Sequence, residues 1–388
     1  MKHPSDTESG PPRYLPLAGL AWLHFANDGA ANFLPGVLPA VLVATGLKPA
    51  LAGTLMFALL AGQGLQPLAG MLGRFLGGRR LMWFGVMVTV LGSGLVGIVT
   101  GLPGLLVVLT LIGVGNACFH PQALAAARGF SGSRGHFGVA VMMLGGEIGR
   151  GLWPLIASVV VVWGALGSLW MPALIALASL PLVAWRLPHA DVPSMEWRIR
   201  LRGRMGATAR LLAYVVLRGL AVMGAVTYLP MLWNARGGGL IGGASLVTLM
   251  LIVGLAGTLY GGHLADRIGR RPVLVGAGVL MAFCLALIAW GSTPALWLGA
   301  PLLGIPAFAT FPLTTVEGQD IFPENRPFGS GIALGLGNAL GAGLVALLGF
   351  VAGALPVTDL FWILTAAALV TAPLGMLLHT QHRGSDIL

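Results

Sequence analysis

The feature that most constrains this chain is a series of twelve apolar runs, each 19 to 29 residues long, joined by short polar segments. About 20 apolar residues in a helix cross the hydrocarbon core of a bilayer. Only 9% of the 388 residues are charged, whereas roughly 25% of a soluble domain is charged. The sequence therefore predicts an all-α membrane protein with twelve transmembrane helices, over residues 16–44, 50–73, 81–101, 104–128, 137–162, 166–187, 209–234, 240–264, 273–291, 295–318, 329–354 and 358–379.

The basic residues predict the orientation of these helices. Of the 22 Lys and Arg residues, 18 fall in the termini and the even-numbered loops, and only Lys48 and Arg236 fall in the odd-numbered loops. Because cytoplasmic loops carry the excess of Lys and Arg, we expect a multi-pass protein of the plasma (inner) membrane with both termini in the cytoplasm. Topology thus accounts for the net charge of +10, and we expect no nucleic acid as a partner.

Several other function classes lack their sequence signatures. No G-x-x-x-x-G-K-[ST] loop is present, which excludes an ATP-driven pump with its own P-loop, and no hydrolase or metalloprotease motif occurs. Cys118 and Cys284 lie inside apolar runs without metal-site spacing. We therefore expect no enzyme activity, no cofactor and no metal site. The expected partners of this monomer are a small-molecule substrate, protons and the lipid bilayer.

A polar stretch rich in arginine divides the chain into two halves, and its arginines are Arg198, Arg200, Arg202, Arg204 and Arg210. Such a segment suits the anionic cytoplasmic lipid surface. The predicted units are a cytoplasmic N-terminal tail, a six-helix bundle, a basic cytoplasmic linker, a second six-helix bundle and a cytoplasmic C-terminal tail, over residues 1–15, 16–187, 188–208, 209–380 and 381–388.

The two halves also repeat each other. A gap-free shift of 191 residues superposes Pro39 on Pro230, Pro121 on Pro312, and Gly78-Arg79-Arg80 on Gly269-Arg270-Arg271. The pattern predicts two parallel repeats of six helices. Transporters built in this way have a central site between the halves and give access to it by rocking.

Residues 262–271, Gly-His-Leu-Ala-Asp-Arg-Ile-Gly-Arg-Arg, resemble the loop signature G-x-L-a-D-r-x-G-r-r of the major facilitator superfamily. The first copy, residues 70–80, lacks the acid. The resemblance implies a conformational latch in which a carboxylate and arginines grip a helix end in one state. Its residues would be Gly262, Asp266, Arg267, Gly269, Arg270 and Arg271, with Arg79 and Arg80 of the first copy. We also expect Glu317, Gln319 and Asp320 to pair with arginines at that end.

A narrower resemblance lies in the first half. His24-Phe25-Ala26-Asn27-Asp28, residues 113–121 (Gly-Val-Gly-Asn-Ala-Cys-Phe-His-Pro) and residues 145–154 (Gly-Gly-Glu-Ile-Gly-Arg-Gly-Leu-Trp-Pro) are similar to signatures of the fosmidomycin-resistance group of exporters. The third segment departs from the group at Trp153 and in carrying Glu147 and Arg150. The resemblance implies proton-coupled export of small, often anionic compounds such as antibiotics.

Charged residues inside the predicted helices are the candidate site. His24, Asp28 and Asn32 are spaced i, i+4, i+8 and share one helix face. A charge at mid-membrane costs several kcal/mol at least. Asp28 is therefore either a proton-binding carboxylate with His24 as its neighbour or a buried acid permanently hydrogen-bonded to another helix.

Two arginines leave alternatives open. Arg150 and Glu147 either neutralise each other as a structural ion pair, or an anionic substrate takes Arg150 and Glu147 must then bind a proton. Arg218 has no acid on its own helix. It would face the cavity and serve either as a substrate clamp or as the counter-ion of Asp28, because a guanidinium fork binds two oxygens.

The remaining candidates are polar or aromatic side chains on the same helices. His120 follows Asn116 by four residues and is either a proton relay or a helix–helix contact. The predicted proton-coupling residues are Asp28, Glu147, His24 and His120. The predicted substrate-binding residues are Arg150, Arg218, Asn32, Asn116, Trp153, Tyr228 and Asn338.

These residues favour a secondary active transporter that exports a small polar or anionic compound by proton antiport. A proton-coupled importer or facilitator of an organic anion or a metal complex would use the same groups. A non-transporting membrane sensor on the same scaffold would not need acids and arginines that face one cavity.

Overall fold

A computed structural model describes residues 11–131, 135–184, 202–352 and 355–378, which are almost entirely helical and contain no strand. The helices form twelve passes, as the sequence predicts. Ten of the described segments have the length and hydropathy of a membrane span. The N-terminal tail over residues 1–10, most of the predicted linker and the C-terminal tail lie outside the described residues.

Nine of the described passes are single helices: α5 (Gly78–Leu95), α6 (Leu102–Phe130), α7 (Gly135–Gly164), α8 (Trp170–Ala184), α9 (Met205–Ala235), α10 (Leu240–Ile268), α11 (Arg270–Trp290), α12 (Thr293–Ile321) and α15 (Val357–Leu377). The other three are divided. They comprise α1 (Tyr14–Asn32) with α2 (Leu34–Ala44), α3 (Ala52–Gln63) with α4 (Gln66–Leu76), and α13 (Arg326–Gly331) with α14 (Gly337–Ala352).

The divisions have local causes. The first pass breaks at Phe33 because Pro35 enters the next turn and has no N–H to continue the helical hydrogen bonds. Between α13 and α14 the chain makes a π-helical turn, Ile332–Leu336, in a segment rich in glycine. Such turns insert an extra residue into a helix and are frequent at functional sites.

The helix ends confirm the predicted repeat. The first residues of α1 and α9 are 191 positions apart, and so are the first residues and the last residues of α6 and α12. The turn before α5 differs by one residue from the predicted alignment. The glycine with positive φ is Gly77 (+83°) in the first half and Gly269 (+91°) in the second, because the first half offers two consecutive glycines at this turn.

The two halves meet mainly in the part of the bundle that lies away from the termini. A side chain at Gly53 would overlap the carbonyl of Val345, and one at Gly349 would overlap the carbonyl of Ala50. Contacts between α7 and α10, and between α2 and both α9 and α10, continue this interface. The halves thus pack backbone against backbone at that end.

Candidate functional site

Close packing of α1 against α7 positions the acidic residue of the first pass. A side chain at Gly145, Gly146 or Gly149 of α7 would overlap α1, at the carbonyls of Ala21 and Phe25 and at the His24 ring. Small residues allow membrane helices to approach closely. The glycines of the 145–154 segment therefore bring the polar face of α1 against the polar residues of α7.

Asp28 is the centre of the site. It is only 3% exposed, and its Oδ1 accepts hydrogen bonds from the Asn116 amide at 3.1 Å and the Asn27 amide at 3.2 Å. The Nε2 atoms of His24 and His120 lie 3.2 Å from Oδ2 and Oδ1 respectively. The structure thus brings α1 and α6 together around one carboxylate.

The two imidazoles face each other, and their outer nitrogens contact backbone carbonyls. His24 Nδ1 lies 2.9 Å from the Met142 carbonyl, and His120 Nδ1 lies 2.9 Å from the Asn116 carbonyl. A carbonyl oxygen only accepts hydrogen bonds, so each Nδ1 carries a hydrogen. In the neutral rings both Nε2 atoms are then acceptors, yet they lie 3.1 Å apart and each faces an Asp28 oxygen.

This convergence of acceptors requires a positive occupant. A proton on one Nε2 turns that nitrogen into a donor toward Asp28 or the other imidazole. The three ligand atoms also lie within 4.8 Å of one another, close enough to hold a metal ion. Arg150 places a fixed positive charge 3.8 Å from Asp28, which disfavours a divalent cation more than a proton.

Arg150 links Asp28 to a second acid. Its Nη2 donates to Glu147 Oε1 at 2.9 Å and lies 3.8 Å from Asp28 Oδ2. The exposed fractions of the side chains are 24% for Arg150, 14% for Glu147 and 22% for His120. Asp28, His24 and Asn116 are deeply buried, whereas Arg150, Glu147 and His120 are partly accessible.

Three other candidates pack around or away from this cluster. The Asn32 amide donates to the backbone carbonyl of Asp28 at 2.8 Å. Trp153 is buried, lies over Gly29, and makes an edge contact with Phe25 at a centroid distance of 5.5 Å. Tyr228 is buried in the second half, where its hydroxyl donates to the Val345 carbonyl at 3.3 Å.

Arg218 lies in the second half and is fully buried. Its Nη2 donates to Asn338 Oδ1 at 2.9 Å, and its guanidinium lies 4.0 Å from the centroid of the Phe311 ring. The expectation that Arg218 faces an open cavity is therefore not met in this conformation. Among the described residues, the arginine that approaches Asp28 is Arg150.

One arginine of the predicted latch contacts acids that lie outside the motif. Arg270 Nη1 lies 2.6 Å from Asp320 Oδ2 and 3.6 Å from Glu317 Oε2, which confirms the expected pairing of these two acids. Gln319 instead donates to Ser330. Arg271 Nε donates to the Leu378 carbonyl at 3.0 Å, whereas Asp266 is exposed.

Sequence reasoning missed Asn27 and the carbonyl of Met142. Asn27 is in the quoted His24–Asp28 segment, but a neighbour in sequence points about 100° away on a helix. The amide nevertheless reaches Asp28 at 3.2 Å. The Met142 carbonyl carries no side-chain signal. Only the packing of α7 on α1 places it beside His24.

Comparison with known proteins agrees with this architecture. The profile of the Major Facilitator Superfamily matches residues 20–345. The uncharacterized MFS-type transporter YfnC of Bacillus subtilis (strain 168) is 25% identical over 348 residues, covering 84% of this chain and 83% of the relative. The fosmidomycin resistance protein of Escherichia coli (strain K12) is 24% identical over 354 residues, covering 87% and 86%.

Solved structures show the same fold. The nucleoside transporter NupG superposes with a TM-score of 0.76 at 18% identity, covering 94% of this chain and 99% of that one. A peptide transporter of the POT family superposes with a TM-score of 0.74 at 13% identity, covering 96% and 97%. The twelve helical passes, the parallel repeats and the profile match together show that the chain belongs to the Major Facilitator Superfamily of membrane transporters.

Proposed function

We propose that this transporter couples proton entry to the export of a small anionic compound. The observation that carries the proposal is the cluster of His24, Asp28 and His120, where two Nε2 acceptors and a carboxylate converge within hydrogen-bonding distance. A proton bound there converts repulsion between acceptors into hydrogen bonds. The cluster lies inside a membrane helix bundle, where a charge costs several kcal/mol. Binding or release of a proton there therefore changes the free energy enough to bias a conformational equilibrium.

Arg150 connects the proton site to the substrate. A substrate oxyanion that binds its guanidinium competes with Glu147 and Asp28, which both contact it. Each acid that loses Arg150 is then left uncompensated and binds a proton more readily. Within one conformation, binding of the anion and binding of a proton therefore favour each other through one shared arginine. Proton-coupled import uses this linkage directly, so the sign of the pH change in the test below decides between import and the proposed export. The further substrate-binding residues of the proposal are Asn32, Asn116, Trp153, Tyr228, Arg218 and Asn338.

Support for export comes from the resemblance of the first half to the fosmidomycin-resistance group and from the similarity to the Escherichia coli fosmidomycin resistance protein. We therefore take a phosphonate antibiotic as the first substrate to test. The rest of the proposal is a monomer in the plasma (inner) membrane, with both termini in the cytoplasm. Arg79, Arg80 and the 262–271 segment form its latch, and Arg270 contacts Asp320 and Glu317 there.

The test uses proteoliposomes that contain an internal pH dye. Addition of fosmidomycin, or of other phosphonates and carboxylates, outside the vesicles distinguishes the two directions of coupling. Antiport moves protons out as substrate enters and makes the interior alkaline, whereas symport makes it acidic. The direction of the pH change thus separates proton antiport from proton-coupled import.

Asp28→Asn is the decisive variant, because it keeps the shape of the side chain and removes its charge. We expect substrate-driven proton flux to be lost in Asp28→Asn and kept in Asp359→Asn, the same chemical change at an exposed acid of α15. Equal flux in Asp28→Asn and the unmodified protein would contradict the proton-site assignment.

A further inference from the structure

The second half contains a buried cation without a carboxylate partner among the described residues. The guanidinium of Arg218 donates to Asn338 Oδ1 at 2.9 Å and lies 3.4 Å from Thr310 Oγ1. Its Nε has no hydrogen-bond partner in the described part of the chain. An uncompensated charge in such an interior is costly. A neutral side chain at position 218 would avoid that cost. The presence of an arginine therefore indicates a role other than stabilising the fold.

The repeat relates this arginine to the proton site. The shift of 191 residues that superposes the two halves places three residues of the first site on three of the second: Asn27 on Arg218, His120 on Phe311 and Glu147 on Asn338. The two groups thus occupy equivalent positions in their bundles. One is built around a carboxylate and the other around a guanidinium.

Helix packing supports this equivalence. In the first half, a side chain at Gly146 of α7 would overlap the His24 ring. In the second half, a side chain at Gly337 of α14 would overlap Val215 of α9. Both residues of the second contact lie 191 positions after those of the first. The register therefore holds across the π-helical turn that precedes Asn338.

Two partly exposed side chains cover the arginine. Phe311 stacks on the guanidinium at 4.0 Å, and Asn338 fills one side of the fork with its amide oxygen. Both are partly exposed, whereas Arg218 is not. Their equivalents His120 and Glu147 are also partly accessible, at 22% and 14%. A rotation of Phe311 would expose one face of the guanidinium.

We propose that Arg218, Thr310 and Asn338 form an anion-binding site for a carboxylate, phosphonate or phosphate group, which Phe311 covers in this conformation. An oxyanion at the site replaces the amide oxygen of Asn338 and binds the fork of the guanidinium through two oxygens, a geometry that lysine cannot reproduce. The proposal rests on the proposed function in taking this anion to be the transported compound. It adds a second contact for the anion, in the half that does not contain the proton site, to the contact with Arg150.

The experiment measures the binding of fosmidomycin and of inorganic phosphate to the full-length protein in nanodiscs by calorimetry. Asn338→Asp places a carboxylate at the atom that already contacts Arg218 at 2.9 Å. We expect this internal anion to weaken binding of both probes at least tenfold while the thermal midpoint stays the same or rises. Arg218→Lys keeps the charge and loses the fork, and we also expect at least a tenfold loss.

Asp28→Asn separates this site from the proton site. If both proposals are correct, Asp28→Asn loses proton flux but still binds the probes, at least as tightly as the unmodified protein, because one competitor for Arg150 is removed. Binding lost in Asn338→Asp without any proton flux in the unmodified protein would support the anion site and contradict proton coupling. Unmodified affinity in Asn338→Asp, or no binding of either probe to the unmodified protein, would overturn the anion site.

Discussion

The Glu147→Gln variant distinguishes two roles of Glu147. The residue either competes with the substrate for Arg150 or forms a structural ion pair with it. Glu147 Oε1 accepts a hydrogen bond from Arg150 at 2.9 Å, and the Asp28 carboxylate lies 3.8 Å from the same guanidinium nitrogen. A hydrogen bond between charged groups contributes roughly 1.5–3 kcal/mol. Because the two side chains are 24% and 14% exposed, solvent screening favours the lower end of that range.

If a substrate anion must displace Glu147, removing the charge of Glu147 makes the free energy of substrate binding about 1.5 kcal/mol more favourable. This change corresponds to about tenfold higher affinity. The assay is calorimetry with whichever phosphonate or carboxylate drives proton flux in proteoliposomes. Proton flux per substrate should fall in the same variant, because one of the two acids that share Arg150 is replaced by an amide that cannot carry a proton.

Glu324→Gln provides the matched control, since Glu324 pairs with Arg204 outside the site. This variant should leave substrate affinity unchanged. A structural ion pair gives a different pattern for Glu147→Gln: a lower thermal midpoint, with affinity unchanged or weaker. That pattern would refute the competition between Glu147 and the substrate.

Two further predictions concern packing and the latch. Gly146→Ala should lower the free energy of unfolding by about 1–3 kcal/mol through overpacking against α1. Gly276→Ala, at a position with open space, should have a much smaller effect in the same thermal unfolding assay. Asp320→Asn should cost less than about 1 kcal/mol, because Asp320 is half exposed and Glu317 remains 3.6 Å from Arg270. A loss of several kcal/mol would show that the pair is more deeply structural than its exposure indicates.

The fold was predictable from the sequence because its determinants are periodic and repeated. Apolar runs of bilayer length indicate the passes, and one constant shift indicates the two repeats. The breaks inside passes were harder to place. Pro35 and Pro39 both occur in the first run, but prolines are tolerated inside membrane helices, and only the structure shows that α1 ends at Asn32.

The site was predictable only in part. Helical spacing correctly grouped His24 with Asp28, and the two are 3.2 Å apart. Their contact with His120 and Arg150 depends on helix packing, which spacing along one helix cannot reveal. Arg218 shows the opposite difficulty. A charged residue in an apolar run indicates a function. The contact that buries its guanidinium comes from Phe311 on another helix, which the sequence around Arg218 does not reveal. The 191-residue shift relates the two helices, since it places Phe311 at the position of His120.

The break at Phe33 has a mechanical consequence. The α1 segment packs on α5, α6, α7 and α8 of its own half, whereas α2 also contacts α9 and α10 of the other half. When the halves separate at the end away from the termini, the contacts of α2 with α9 and α10 must open, but those of α1 need not change. Phe33 can therefore act as a joint within a single pass, so that α2 moves relative to the second half while the helix that carries Asp28 keeps its shape.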